Sequence, residues 1–349
     1  MINVMIMAGG KGTRFWPLSR KNNPKQFLSI IDEKPLIEIT LDRIGQLASF
    51  NQRWILGSNE QSIHLDKLVN YLPKENILKE PFGKNTAACI AWGAFEAFKK
   101  DPNAICVILS ADAWIEPVKN FQETILKAVE EVKENDSVVT IGITPKTAHT
   151  GYGYIQTKSS SEKNKCLDVL SFKEKPNKNT AETYLNDSSY FWNAGIFIWS
   201  AKKILNCLKK HLPHHYDTIK SFTDKNILDP IEVAEYYSKL DSISIDYAIM
   251  EKIGSEIKLI PANFNWDDIG NWASIENYLS KDDNNNAIKG KVLTHNSKNN
   301  IVVSNKKLIT LANIDDLIVV ESEDSILILP KSDDQAIKAI YEKLDDSYK

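Results

Sequence analysis

Val4-Met-Ile-Met-Ala8-Gly9-Gly10-Lys-Gly12-Thr13-Arg14-Phe-Trp-Pro-Leu-Ser-Arg20, followed by Pro24-Lys25-Gln26-Phe27, is an apolar run that breaks into glycines and then into cations. A short buried strand feeding a glycine turn is where an α/β sheet places ligands, at the carboxyl edge of its strands. Glycines there reach positive φ and leave backbone N–H groups uncovered, so a row of them cradles phosphate oxygens. Two familiar phosphate loops fail on the letters. No Gly-Lys-Ser/Thr stands four residues beyond a first glycine, and Phe15 occupies the third glycine position of the dinucleotide pattern. Arg14 and Lys25 add two fixed cations, which suits a polyphosphate whose charge must be neutralised before a second anion approaches. The plainer alternatives are a tight turn for the glycines and a surface ion pair for Arg14.

Outward from this loop, short β-branched runs alternate with helical patterns. Val4–Ala8 precedes a helix over Leu36–Leu47, Trp54–Gly57 one over Ile63–Leu72, and Ile105–Ser110 one over Phe121–Val132, with Val138–Ile143 next. Such alternation predicts a mainly parallel sheet covered on both faces. Ile105-Cys-Val-Ile-Leu-Ser110, apolar at nearly every position, predicts a central strand that ends at Asp112. Between residues 150 and 200 the runs Gly151–Ile155, Val169–Glu174 and Gly195–Trp199 suggest antiparallel strands, an insertion that shapes a pocket. Helices are expected over Lys202–Leu212, Ile231–Leu240 and Ile245–Ile253, with a strand at Ile257–Pro261. The polar run Lys281–Asn286 marks a domain boundary, dividing residues 1–280 from 287–349. Beyond it, five strand-like runs and a helix over Asp333–Leu344 predict a small β domain.

The chain has 349 residues, with 43 Lys plus Arg, 46 Asp plus Glu and a formal net charge of −3. That balance excludes the basic excess of a nucleic-acid binder or an anionic-membrane binder. Cys89, Cys106, Cys166 and Cys207 are scattered, so neither a zinc knuckle nor a disulfide framework is suggested; they are expected in the core, in a reducing cytoplasm. No signal-peptide order and no span-length apolar run is visible, so an unexported soluble protein is expected. The adjacent His214 and His215 are expected on the surface, and Trp192, Trp199, Trp266 and Trp272 mostly in core packing.

Asp112, at the end of the buried strand, and Asp268, in an aromatic-framed turn, are two carboxylates without histidine or cysteine beside them. That donor set suits a hard cation such as Mg²⁺; for either residue alone, a turn or cap role is the commoner explanation. Glu174-Lys175 places a carboxylate and a compact cation side by side after a strand-like run. Gly153 permits close backbone approach, and Asn193 offers a donor and an acceptor. Asp246 and Glu251 suit a ligand or a helix face equally.

The first motif resembles the signature of sugar-1-phosphate nucleotidylyltransferases, and its Trp-Pro-Leu-Ser-Arg and Pro-Lys-Gln-Phe portions resemble the mannose-1-phosphate guanylyltransferases in particular. Glu80-Pro-Phe-Gly-Lys-Asn85-Thr86-Ala, Phe172-Lys-Glu174-Lys175-Pro, Asn193-Ala-Gly195-Ile-Phe, Ser244-Ile-Asp246-Tyr-Ala-Ile-Met-Glu251 and Trp266-Asp-Asp268-Ile-Gly270-Asn-Trp272 follow in the family's order. The resemblance implies a Rossmann-like doubly wound mixed α/β sheet, a small C-terminal β domain that is partial left-handed β-helix-like, and a terminal helix. It implies the reaction of GTP with mannose 1-phosphate to give GDP-mannose and diphosphate, without nucleic-acid or membrane partners, and homodimerisation through the C-terminal domain. It places Arg14 and Lys25 in catalysis, and Ala8, Gly9, Gly10, Gly12, Thr13, Glu80, Asn85, Thr86 and Ser110 around the nucleotide. Gly153, Glu174, Lys175, Asn193 and Asp246 take the sugar phosphate, and Asp112 and Asp268 take Mg²⁺ or another divalent cation.

Three positions depart from the pattern. Ala113 stands where many relatives carry His, Lys84 where they often carry Arg, and Ala88 where they often carry Pro. The lost imidazole could have ordered the metal's surroundings or a phosphate, which raises a rival reading as a non-catalytic GDP-mannose-binding regulatory subunit. Another sugar phosphate or base on the same scaffold is the second rival. The phosphomannose isomerase half of some relatives is expected to be absent.

Overall fold

The computed structural model describes residues 1–10, 12–158, 166–227 and 229–349, so Lys11 of the opening motif lies outside the described residues. The chain forms two compact units. The first comprises Met1–Gly9, Leu41–Ala111 and Ile115–Trp266, and the second comprises Gly10–Thr40, Asp112–Trp114 and Asp267–Lys349.

The first unit is built on one sheet. Its strands are β1 (Ile2–Met7), β2 (Arg53–Ser58), β3 (Ile77–Glu80) and β4 (Ile105–Ser110), then, after the short β5 (Trp114–Glu116) outside this sheet, β6 (Val138–Ile143), β7 (Tyr154–Thr157), β8 (Leu167–Lys173), β9 (Tyr190–Ser200) and β10 (Ile257–Pro261). The spatial order is β3-β2-β1-β4-β9-β6-β10-β8-β7. β1 runs parallel to β2 and β4, with Ile2 opposite Ile105 and Met7 opposite Ser110, so the first and central strands end side by side. β9 is antiparallel to both β4 and β6. The strands expected as an insertion are antiparallel, as their alternation suggested, but β9 lies in the middle of the sheet.

Both faces are covered, which is why β4 reads as continuously apolar. Met5, Leu56, Cys106 and Ile108 share one cluster with Ala87, Ala91, Ala94, Ile204 and Leu208. Their alternates Val4, Ile6, Val107 and Leu109 are equally buried. The helix Val118–Asn135 buries Phe121, Ile125, Ala128, Val129 and Val132, a stripe at helical spacing.

Several expectations are corrected. Ile63–Leu72 is one helical turn, Ser62–Leu65, continued as 3-10 turns. Ile245–Ile253 opens as a π-turn over Asp246–Met250. His215 is fully buried, with Nε2 at 3.0 Å from the Asp241 carbonyl, because its side of the helix Pro213–Asp224 faces the core. Cys166 is exposed, unlike the other three cysteines. The helix Asn85–Lys100 and the edge strand β3 were not anticipated. That helix is buried almost all round from Ala87 to Ala97, which erases the polar stripe that would announce it.

After β11 (Asn265–Asp267), the chain continues in the second unit through β12 (Ser280–Lys281) into β13 (Ala287–Lys289), β14 (Val292–His295), β15 (Ile301–Val303), β16 (Ile309–Ala312), β17 (Leu317–Glu321) and β18 (Ile326–Pro330). β13, β15 and β17 stack in parallel, β14 and β16 form a second parallel pair, and β18 closes antiparallel on β17. Two parallel stacks joined by short turns are the walls of a β-helix-like coil. Asn286 and Asn300 tie its corners from inside. Asn300 Nδ2 donates to Asn286 Oδ1 at 2.8 Å and to the Ile314 carbonyl at 2.9 Å, while its Oδ1 accepts from Leu317 N. The last helix, Ala336–Lys343, buries Ile337.

The polar run at 281–286 lies within the second unit. Phe15, Trp16 and Leu28 from the N-terminal stretch share a cluster with Trp272, Ile301, Ile318 and Leu327. No helix among the described residues is long and apolar enough to cross a membrane.

Replacing Asn300 with Ala removes the side-chain partner of the Ile314 carbonyl and of the Leu317 N–H, while Asn286 Oδ1 keeps only the Asn300 backbone N–H, a loss of about 3 kcal/mol. Urea unfolding is expected to show an earlier midpoint for this variant. An unchanged midpoint contradicts the corner role.

Candidate active site

In the second unit, the loop after β1 is shaped by one glycine. Gly12 has φ +59°, and a Cβ there would fall 2.5 Å from Lys25 Cβ and 2.7 Å from Lys25 N, so only glycine lets the loop cross Lys25. Gly12 leads into the 3-10 turn Thr13–Phe15, which carries Arg14, and Lys25 opens the matching turn Lys25–Phe27 after Pro24. Gln26 Nε2 donates to the Gly10 carbonyl at 3.0 Å and fixes the exposed glycines.

Lys25 is 5% exposed. Its ammonium donates to Asp112 Oδ2 at 2.8 Å and to the main-chain carbonyl of Asp268. A Cβ on Gly270 would stand 3.0 and 3.2 Å from the two Asp268 carboxylate oxygens and 3.4 Å from Arg14 Nη1. Arg14, Lys25, Asp112 and Asp268 are therefore drawn together in one region of one unit. Asp267, which the sequence did not single out, holds the turn: its Oδ1 accepts from Ile269 N at 2.8 Å and its Oδ2 from the Tyr278 hydroxyl at 2.9 Å. Behind the loop, the Phe15 and Trp272 rings meet edge to face, and Trp272 Nε1 donates to the Trp16 carbonyl. Ala113 is buried.

The first unit holds two further groups. Ala8 N donates to the Leu56 carbonyl at 2.7 Å, which extends the β1 ladder to the edge of the loop. Glu80, at the end of β3, is 3% exposed, with Oε2 3.6 Å from the position of a Cβ on Gly9 and Oε1 without a hydrogen-bond partner. Burial pushes its carboxyl up to about 8, against the neighbouring Tyr237 hydroxyl. Ser110 is half-buried at the end of β4, and Asn85 is exposed with φ +63° at the start of its helix. Thr86 Oγ1 accepts from Ile245 N at 2.9 Å, and Lys84 Nζ donates to the Leu240 carbonyl, so Lys84 serves here as a tie between segments.

The second group is compact. Asn193 N donates to the Gly153 carbonyl at 2.8 Å, and Asn193 Nδ2 donates to Asp246 Oδ1 at 3.0 Å. Gly195 N holds Asn193 Oδ1, which sets the amide's orientation. Lys175 Nζ lies 2.7 Å from Glu174 Oε1, while Glu174 Oε2 is buried without a partner and a Cβ on Gly153 would collide with it at 2.4 Å. Glu174 N donates to Glu251 Oε1 at 3.4 Å. Burial, and then the charge of Glu174, push the Asp246 carboxyl up to about 6. Gly153, Glu174, Lys175, Asn193 and Asp246 thus form one cluster, beside which the Tyr152 and Trp192 rings lie 5.1 Å apart.

A side chain at position 153 must displace the Glu174 carboxylate. On the sugar-phosphate role that the resemblance implies for this cluster, Gly153→Ala is expected to raise the KM for the sugar phosphate about tenfold with little change in the KM for the nucleotide. Equal effects on both substrates contradict this placement.

Comparison with known proteins bears on the whole chain. The Nucleotidyl transferase family matches residues 3–285, and the MannoseP isomerase/GMP-like beta-helix domain matches residues 290–344. Mannose-1-phosphate guanylyltransferase 2 of Escherichia coli O157:H7 is 35% identical over 98% of this chain and 73% of its own length. The mannose-1-phosphate guanylyltransferase of Salmonella montevideo is 36% identical over 99% of this chain and 74% of its own. A crystal structure from Thermus thermophilus, described as a mannose-1-phosphate geranyltransferase, superposes with a TM-score of 0.89 at 27% identity over 98% of both chains. Both domains, the order of the motifs and the relatives agree, and the chain belongs to the mannose-1-phosphate guanylyltransferase family of nucleotidyltransferases.

Proposed function

We propose that this protein joins GTP and mannose 1-phosphate into GDP-mannose with release of diphosphate. The observation that carries the mechanism is the Lys25 ammonium held between Asp112 and the Asp268 carbonyl, with Arg14 and the Asp268 carboxylate flanking Gly270.

The backbone of Ala8, Gly9, Gly10, Gly12 and Thr13 cradles the triphosphate, and Arg14 and Lys25 neutralise it. Glu80, Asn85, Thr86 and Ser110 serve the nucleoside. Gly153, Glu174, Asn193 and Asp246 meet the sugar, and Lys175 takes its phosphate. The sugar phosphate oxygen, already an anion, attacks the α-phosphorus in line as the bond to diphosphate breaks. No proton has to be removed and no covalent enzyme intermediate is needed, so the work is positioning and charge stabilisation.

A divalent cation fits the donors present. Asp112 and Asp268 supply hard carboxylate oxygens, and the Asp112 carboxylate together with the Asp268 main-chain carbonyl already holds a cation, the Lys25 ammonium. Mg²⁺, which keeps several waters and is held through one or two carboxylates plus substrate phosphates, would bind there and supply Lewis-acid neutralisation of the reacting phosphates. The retained Arg14, Lys25, Asp112 and Asp268 favour an enzyme over a non-catalytic binder despite Ala113. Homodimerisation through the C-terminal strands is part of this proposal, motivated by the exposed Ile326 and Ile328 on the edge strand β18.

Pyrophosphate release from the four nucleoside triphosphates, each paired with several hexose 1-phosphates, tests the assignment. GTP with mannose 1-phosphate is expected to be fastest; another pair in the lead replaces the substrates and leaves the chemistry.

A further inference from the structure

Two buried polar atoms in the first unit lack partners beside one another. Glu80 is 3% exposed with Oε1 unbonded, and Tyr237 is 0% exposed with its hydroxyl unbonded. The hydroxyl is the side-chain group that acts on the Glu80 carboxyl, and the Glu80 charge in turn pushes Tyr237 up. One is a donor and the other an acceptor. A buried polar group left unmade is costly, so neighbouring complementary orphans point to a shared job. The Tyr237 ring is not free to swing, because it packs against Phe82 edge to face at 6.3 Å and against Trp92 at 5.7 Å. The buried Cys89 thiol also faces this pair, and Lys84 Nζ lies 5.6 Å from the Phe82 ring that packs on Tyr237.

We propose that Tyr237 is a positioning residue for base selection, its hydroxyl serving as the inner donor that fixes the Glu80 carboxylate beside the Gly9 turn. The inference rests on the reading that Glu80 meets guanine. Guanine presents N1–H and a 2-amino group on one edge, two donors that match an ionised carboxylate, which only accepts. A carboxylate free to rotate would read neither well. With one lobe held by Tyr237 from behind, the remaining lone pairs face the base.

The test compares Tyr237→Phe with Glu80→Gln, using GTP and ITP, which lacks the 2-amino group. Phenylalanine keeps the ring packing, and equilibrium binding of GDP and IDP by calorimetry gives a readout that needs no turnover. Tyr237→Phe is expected to raise the KM for GTP about tenfold, to leave kcat and the KM for mannose 1-phosphate unchanged, and to narrow the GTP over ITP preference. The pH at which GTP binding improves, as Glu80 ionises, should move upward, because the lost donor favoured the charged form. If Glu80→Gln leaves the GTP over ITP preference intact, the guanine reading falls and the inference falls with it. If Glu80→Gln abolishes that preference while Tyr237→Phe retains wild-type KM, binding ratio and pH midpoint, the inference alone is overturned.

Discussion

Lys25→Met is expected to slow pyrophosphate release about a hundredfold while the protein remains folded. Lys25 is nearly buried, and its ammonium is fixed by Asp112 Oδ2 at 2.8 Å and by the Asp268 carbonyl, so it meets a triphosphate without having to be ordered first. Removing one preorganised donor from a water-poor site costs ~3 kcal/mol in the transition state. Methionine keeps the volume beside Phe15, whose ring lies 5.6 Å from Nζ, so packing is preserved while the charge is lost. Arg14→Ala should show a loss of similar size. Pyrophosphate release and thermal melting measured together check both variants. Near-normal release with an unchanged melt removes the residue from the mechanism.

Asp112→Asn carries the second large effect, a loss of activity of about a hundredfold or more. The substitution keeps the shape of the side chain but leaves Lys25 without its anionic partner and removes one of two hard carboxylates available to a divalent cation. Because the groups act as a unit, Asp112→Asn combined with Lys25→Met should cost far less than the product of the two single losses. Metal titration of activity separates the causes: the Mg²⁺ concentration giving half-maximal rate should rise in Asp112→Asn. A rate loss with an unchanged metal dependence would assign Asp112 to Lys25 alone.

Much of this arrangement is written in linear motifs. Gly12, Arg14 and Lys25 are close in sequence because two neighbouring turns carry them, and Asp112 follows a strand whose unbroken apolar run announces burial on both faces. The alternation of strands and helices likewise declares the α/β sheet. Other parts depend on contacts that no local pattern encodes. The helix Asn85–Lys100 lacks a polar stripe because sheet and helices enclose it. His215 reads as polar, yet its face of the helix turns inward, where the Asp241 carbonyl meets it. Asp267 holds Asp268's turn by hydrogen bonding and Tyr237 is buried beside Glu80, neither of which has a sequence signature. The place of β9 at the centre of the sheet is also a matter of long-range pairing, since its own residues signal only a strand.

The most direct test is pyrophosphate release by the unaltered protein given GTP and mannose 1-phosphate, with Mg²⁺ and then with a chelator. One GDP-mannose formed per pyrophosphate, and none of either once the cation is withdrawn, is the predicted result. Tight binding of GDP-mannose with no pyrophosphate released under any divalent cation would contradict the account.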